Sequence, residues 1–203
     1  MSGELDAGPF GPWLGQTLAV LREGADADVP CNGCTACCES SQFVLVEPDE
    51  RDARSAIPAE LLFPAPGAPK GYSLLPYDEH GRCPMLRDGG CSIYEHRPRT
   101  CRAYDCRVLT AAGVDPGPEK PAIRRRVGQW RFTTEGSVEE RSAAAVRAAA
   151  TFLAEHPDGL PDGVPPPTQR AALAVEVHDL FTGDGTPEPA EVLVELRGRL
   201  SSR

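Results

Sequence analysis

Apolar positions along this chain follow strand spacing in short runs near the middle and helical spacing toward both ends. Residues 12–22 place Leu14, Leu18 and Leu21 on one face, and Pro12 suits a first helical turn. Gly24 to Pro30 reads as a polar loop. Residues 42–47, Gln-Phe-Val-Leu-Val-Glu, are short, apolar and β-branched, which predicts a buried strand. Pro48-Asp49-Glu50 then reads as a helix start, with acids near the positive end of the dipole. The stretch 58–71 holds four prolines and two glycines, which predicts an irregular loop, and 72–77 predicts a second strand. In 86–94, Asp88-Gly89-Gly90 supplies the positive φ of a tight hairpin, a turn that would bring Cys83 near Cys91.

The C-terminal third changes character. Ser137-Val138-Glu139-Glu140 matches a capping box, and Val146, Ala149, Ala150 and Leu153 mark one face of the helix that follows. Pro157 ends it, and 157–167 reads as a linker. A second helix is expected over about 168–181, with Leu173, Val177, Leu180 and Phe181 aligned. A third opens at Thr186-Pro187 with Leu193, Leu196 and Leu200 aligned, and Arg197 and Arg199 near its negative end. The expected class is α+β: a small, irregular, metal-centred domain with short strands, plus a C-terminal helical extension. The expected segments are an N-terminal helix or arm over 1–24, a cysteine-cluster domain over 25–135 and the extension over 136–203.

Charge narrows the partners. The 203 residues carry a net charge of −9, and thiolate-held metal would make the chain more negative. Phosphate backbones need a positive surface, so nucleic acid is not expected. No apolar stretch approaches the ~20 residues that span a bilayer, so no membrane partner is expected. No basic segment leads into an apolar one in the first 30 residues. The expected compartment is the cytoplasm, where thiols stay reduced.

The eight cysteines bear the chemistry. Cys31, Cys34, Cys37 and Cys38 lie within eight residues, and Cys83, Cys91, Cys101 and Cys106 form a second cluster. Two intervening residues let two thiols converge on one metal centre, and zinc and iron–sulfur sites both need soft anionic ligands at fixed spacing. Gly33 is expected to clear bulk where backbone wraps close to sulfur. Four bridged disulfides in an exported domain form the competing reading. The triplet Cys31, Cys34, Cys37 also matches the start of a ferredoxin-type run whose last cysteine precedes proline, a place Cys83-Pro84 can take. That analogy groups Cys31, Cys34, Cys37 and Cys83 around one centre, and Cys38, Cys91, Cys101 and Cys106 around another.

Arg97, Arg99, Arg102 and Arg107 lie among the second-cluster cysteines. Guanidinium groups there would offset the negative charge of a metal–thiolate centre, with Arg97 and Arg102 as the cofactor-contacting candidates. A solvated surface is the plainer reading of the same residues. His80 and His96 read as surface histidines, Tyr94 and Tyr104 as packing around the site, and Arg124-Arg125-Arg126 as a solvated face. No phosphate-binding glycine loop, nucleophile elbow or Glu-flanked His pair is present.

Cys31-x2-Cys34-x2-Cys37-Cys38, then Cys83-Pro84-Met85-Leu86, then Gly90-Cys91-Ser92-Ile93-Tyr94-Glu95-His96-Arg97-Pro98-x2-Cys101-Arg102, resembles the YkgJ-like cysteine-cluster family, the CxxCxxCC or zinc- or iron-chelating domain. The resemblance covers 31–106 and implies metal chelation by these cysteines. A similar cluster in flagellin lysine N-methylases, which are associated with an iron–sulfur cluster, extends the implication to a redox role or a part in an enzyme. The expected function is coordination of iron, as an iron–sulfur cluster, and/or zinc through the eight cysteines. The alternative is a structural zinc module whose partner is another protein.

Overall fold

The computed structural model describes residues 3–29, 31–157, 160, 163–183, 185 and 187–201. Pro30, Thr186, four positions of the 157–167 stretch and the side chain of Leu200 lie outside the described residues. The chain is α+β, and its contacts divide it into two compact units. The division differs from the three consecutive segments expected. A helical unit comprises 1–25, 106–117 and 127–203, and a cysteine unit comprises 26–105 and 118–126. The N-terminal arm therefore groups with the C-terminal helices, because both bury apolar faces in one core.

In the helical unit, β1 (Leu5–Pro9) pairs in parallel with β7 (Trp130–Thr133). Neither strand is evident from apolar runs, since each is short and half-exposed. α1 (Phe10–Glu23) follows β1 directly and starts two residues earlier than the apolar spacing suggests. Its buried face is Phe10, Trp13 and Leu14, and Phe10 and Trp13 pack on Phe132 of β7 with ring centroids 5.4 and 4.7 Å away. Gly24 ends the helix in the left-handed conformation, φ 65°, a position that glycine takes without strain.

α4 (Arg107–Ala112), α6 (Gly136–Glu155) and α7 (Pro167–Glu176) pack through small side chains. Ala111, Ala149, Ala171 and Ala174 are fully buried, so backbones approach closely around Val146, Leu153 and Val175. The face expected on α6 is the buried one. Its start is not the capping box at Ser137: Glu135 occupies the cap position, and its N–H donates to Glu139 Oε2 at 2.8 Å. α7 stops at Glu176, and a 3-10 turn, His178–Phe181, replaces the rest of the expected helix. α8 (Pro189–Ser201) buries Val192 and Leu196 rather than the Leu193–Leu196 stripe.

In the cysteine unit, β2 (Val44–Val46) and β3 (Phe63–Pro64) flank β4 (Ser73–Leu75), all antiparallel. The Pro-rich loop thus contains an edge strand, where a proline without an N–H is tolerated. Val44, Val46 and Leu75 turn inward onto Ala53, Ile57 and Met85, with α2 (Arg51–Ala56) supplying Ala53. The predicted hairpin is β5 (Leu86–Arg87) and β6 (Gly90–Cys91), with φ of 50° and 77° at Asp88 and Gly89. α3 (Arg99–Ala103) follows and lies against β2, where Thr100 Oγ1 donates to Leu45 O at 2.8 Å. α5 (Pro121–Gln129) buries Ala122 and Ile123 and exposes Arg124 and Arg125, as a solvated arginine run would.

Candidate metal centre

The first cysteine loop is built by backbone conformation. Asn32 and Gly33 both adopt positive φ, 48° and 76°, and the turn closes with Cys34 N–H donating to Cys31 O at 2.9 Å. Cys34 thereby returns beside Cys31. A Cβ at Gly33 would meet nothing within 4 Å. The glycine is required for its φ, not for the room the sequence reading gave it. After Cys37 and Cys38, Ser40 is buried and its hydroxyl donates to Ala36 O at 2.6 Å, which holds the turn shut.

The second cluster meets the first through the main chain. Cys83 N–H donates to Cys38 O at 2.7 Å. Cys83 also starts the turn into the hairpin, with Leu86 N–H on its carbonyl at 2.9 Å. Its sulfur accepts from the N–H groups of Met85 and Leu86. Cys91 stands opposite Leu86 in the hairpin, and Cys101 sits on the first turn of α3. Cys83 and Cys101 both pack against the apolar cluster of Val44, Val46, Ile57, Leu75 and Met85.

All eight cysteines are free thiols, half-buried. Four of them, Cys31, Cys38, Cys83 and Cys101, are held above the ordinary thiol value. Burial raises the Cys38 thiol to about 12, with further upward pushes from Cys83, Cys91, Cys31 and Cys34. Burial likewise raises Cys101 to about 12, with Cys83, Cys38, Cys91 and Cys31 adding to it. Cys83 is raised by burial against the two N–H donors that favour its thiolate. Cys31 is also raised by burial, opposed by the guanidinium of Arg97. The Cys38–Cys83 backbone bond sets residues of the two ferredoxin-type groups beside each other along the main chain. Among the described residues no three Cys, His, Asp or Glu side chains converge tightly enough to hold a single ion.

Cys106 lies in the helical unit, where the Trp130 indole N–H donates to its sulfur at 3.3 Å. The other seven cysteines lie in the cysteine unit. His80 and His96 are exposed, as expected of surface histidines.

Arg97 is the charged residue most closely built into the cysteine unit. It is 8 % exposed, stacks 3.9 Å from the centroid of the Tyr94 ring, donates to Tyr94 O at 2.9 Å and pairs with Asp28. Tyr94 in turn accepts a hydrogen bond at its hydroxyl from Cys31 N–H at 3.3 Å. Asp28, Arg97 and Tyr94 thus connect the approach to the first cluster with the second. Among the described residues, Arg97 Nε–H is buried with no partner. A buried donor left unpaired is costly, and an anionic centre beside Cys31 would satisfy it. Arg102 differs: its guanidinium reaches Asp26 at 3.0 Å near the surface, and its carbonyl accepts from Val29 N–H at 2.8 Å. It braces the segment leading into the first cluster.

The sequence reading missed two supports. Glu50 accepts hydrogen bonds from Glu47 N–H and Arg99 N–H, tying the start of α2 to the start of α3. Asp26 and Asp28 are the other pair. Their spacing just ahead of Cys31, opposite in charge to Arg97 and Arg102, was the available signal.

Residues 30–120 match the model of the CxxCxxCC family, described as "Putative zinc- or iron-chelating domain". That segment is similar to the family over 30–120 and contains all eight cysteines. No curated protein and no solved structure matches the chain. The donor set fits a metal centre of that description. It offers several soft sulfur ligands on an apolar floor, N–H donors onto Cys83 and the buried guanidinium of Arg97. Among the described residues no helix is long and apolar enough to cross a membrane.

Proposed function

We propose that the cysteine unit houses a resident thiolate-bound metal centre, an iron–sulfur cluster. The observation that carries this is that the two cysteine clusters meet: Cys83 N–H donates to Cys38 O, and Cys83 and Cys101 pack on one apolar cluster. The ferredoxin-type spacing of Cys31, Cys34 and Cys37 with Cys83-Pro84 supports iron–sulfur over zinc. When bound, such a centre supplies one-electron redox chemistry whose potential follows from net charge, hydrogen bonds to sulfur and burial.

The chain's own residues do the rest. The cysteines bind, while the N–H groups of Met85 and Leu86 stabilise the Cys83 thiolate. Arg97 offsets negative charge and orients the first cysteine loop through Tyr94. Arg102 holds the segment before that loop. The cytoplasm, where thiols stay reduced, is the compartment this reading requires. The eight-cysteine set includes Cys37 and Cys106. For Cys106, engaged by Trp130, a Cys106→Ser variant is expected to retain the metal.

The second reading is a structural zinc module that presents a surface to a protein partner. The small core of the unit, which a zinc site would brace, favours it. Anaerobic purification followed by iron, zinc and acid-labile sulfide analysis separates the two. The proposal expects a brown protein with iron and sulfide in comparable amounts, lost on Cys38→Ser or Cys83→Ser. A colourless protein carrying zinc and no sulfide would establish the second reading instead.

A further inference from the structure

A cavity of about 580 Å³ lies in the cysteine unit between α2 and the Pro-rich loop, with no cysteine in its wall. Its size falls within the range of small-molecule sites, roughly 300–1,000 Å³. Two features make it more than a surface fold. The first is charge: Arg54 and Lys70 line it and no acidic side chain does, in a chain of net charge −9. Among the described residues neither cation is ion-paired with a carboxylate; Arg54 spends one N–H on Gly71 O at 3.4 Å. The second is a hydroxyl: Ser73 lines the cavity, and its Oγ, without a hydrogen-bond partner among the described residues, keeps solvent contact although the residue is only 8 % exposed.

The wall is preformed. Ala65 N–H donates to Tyr72 O, Ala68 N–H to Ala65 O and Tyr72 N–H to Pro69 O, at 3.1, 3.3 and 3.2 Å, so the loop is closed on itself. Gly71 at φ 100° lies over Pro48, where a Cβ would come within 3.2 Å of the ring. Leu62, Pro64 and Tyr72 supply the apolar part of the lining. Leu62 also packs on the apolar cluster that Cys83 and Cys101 touch.

We infer that this cavity binds a small molecule with a carboxylate or phosphate head and an apolar body. The head meets Arg54, Lys70 and the Ser73 hydroxyl, and the body lies over Leu62, Pro64 and Tyr72. The inference is independent of which metal the cysteines hold.

The test uses the full chain with its metal, titrated with phenyl phosphate, benzoate and benzyl alcohol and followed by calorimetry and amide chemical shifts. Saturable binding of at least one anion is expected, with shifts at 62–73, and none for the uncharged alcohol. Benzoate against phenyl phosphate identifies the head. Arg54→Gln combined with Lys70→Gln should weaken binding about tenfold or more, the loss of two charge-assisted contacts. Arg87→Gln, on the exposed hairpin, should leave it unchanged. Melting and metal content check the fold of each variant, and Lys70→Gln alone, at an exposed position, serves if the double variant does not fold. No saturable binding of either anion, equal binding of benzyl alcohol, or binding indifferent to Arg54 and Lys70 would overturn the inference.

Discussion

The helical unit closes its core with helices of up to twenty residues, burying Trp13, Leu109, Val146, Leu153, Val175 and Leu196 among close-packed alanines. The cysteine unit has strands of two or three residues and six buried hydrophobic side chains in its apolar cluster. Cores that small seldom stabilise themselves without a cross-link or metal. The difference teaches where stability originates: from apolar burial in one unit and, on the proposed reading, from thiolates gathered around a bound centre in the other.

The largest effect that distinguishes the units is metal removal. Structural zinc contributes about 10–16 kcal/mol in zinc-finger peptides, comparable to the whole stability of a domain. Chelation under reducing conditions should abolish amide protection and protease resistance over 31–105 while much of the helical circular dichroism persists. Unchanged protection over 31–105 after verified removal would break the comparison.

The converse is a core truncation in the helical unit. Leu153, 1 % exposed on α6, should cost about 2–5 kcal/mol as Leu153→Ala, read by chemical denaturation. The metal content of the folded fraction should stay at the wild-type level. A loss of metal in step with stability would mean the units do not draw on separate sources.

Arg97 sharpens the cysteine side. Arg97→Met removes the contacts to Asp28 and Tyr94 and the cation beside Cys31. Metal transfer to a competing chelator should accelerate about tenfold, equivalent to roughly 1–2 kcal/mol for one buried charged contact. Arg97→Lys should fall between, because lysine keeps the charge but not the planar fork or the stack.

The smallest effect lies in the helical unit. Arg199 and Arg22 hold the Asp179 carboxyl down at about 2. A depressed carboxylate contributes stability above its unfolded value of about 4, and that contribution disappears as pH falls through about 2. Asp179 is 43 % exposed, so solvent screening limits the contribution to below about 1 kcal/mol. Asp179→Asn should flatten the acid limb of the unfolding curve by that amount and leave stability near pH 2 unchanged.

Legibility followed the same division. The buried face of α6 could be read from Val146, Ala149, Ala150 and Leu153 because a long amphipathic helix repeats its signal. The Asp88-Gly89 hairpin was legible because few other sequences take two successive positive φ values. β1 and β7 were not, since a parallel pair between residues 125 positions apart leaves no local trace. The end of α7 at Glu176 and the true cap of α6 at Glu135 were also missed, because tertiary packing set those boundaries rather than propensity. At the candidate site, spacing drew attention to the cysteines, and charge to Arg97 and Arg102 together. What spacing did not reveal is that the Cys83 N–H bonds the Cys38 carbonyl. That contact joins segments 45 residues apart and brings the two cysteine clusters together along the main chain.

The central claim is that thiols from both cysteine clusters bind one metal centre. X-ray absorption at the iron and zinc edges of anaerobically purified protein tests it most directly, with Cys38→Ser and Cys83→Ser measured alongside. The account predicts an iron edge with a sulfur-only first shell and an iron–iron contribution, both lost in either variant. A metal shell made of oxygen and nitrogen, or a sulfur shell that survives both substitutions, would contradict it.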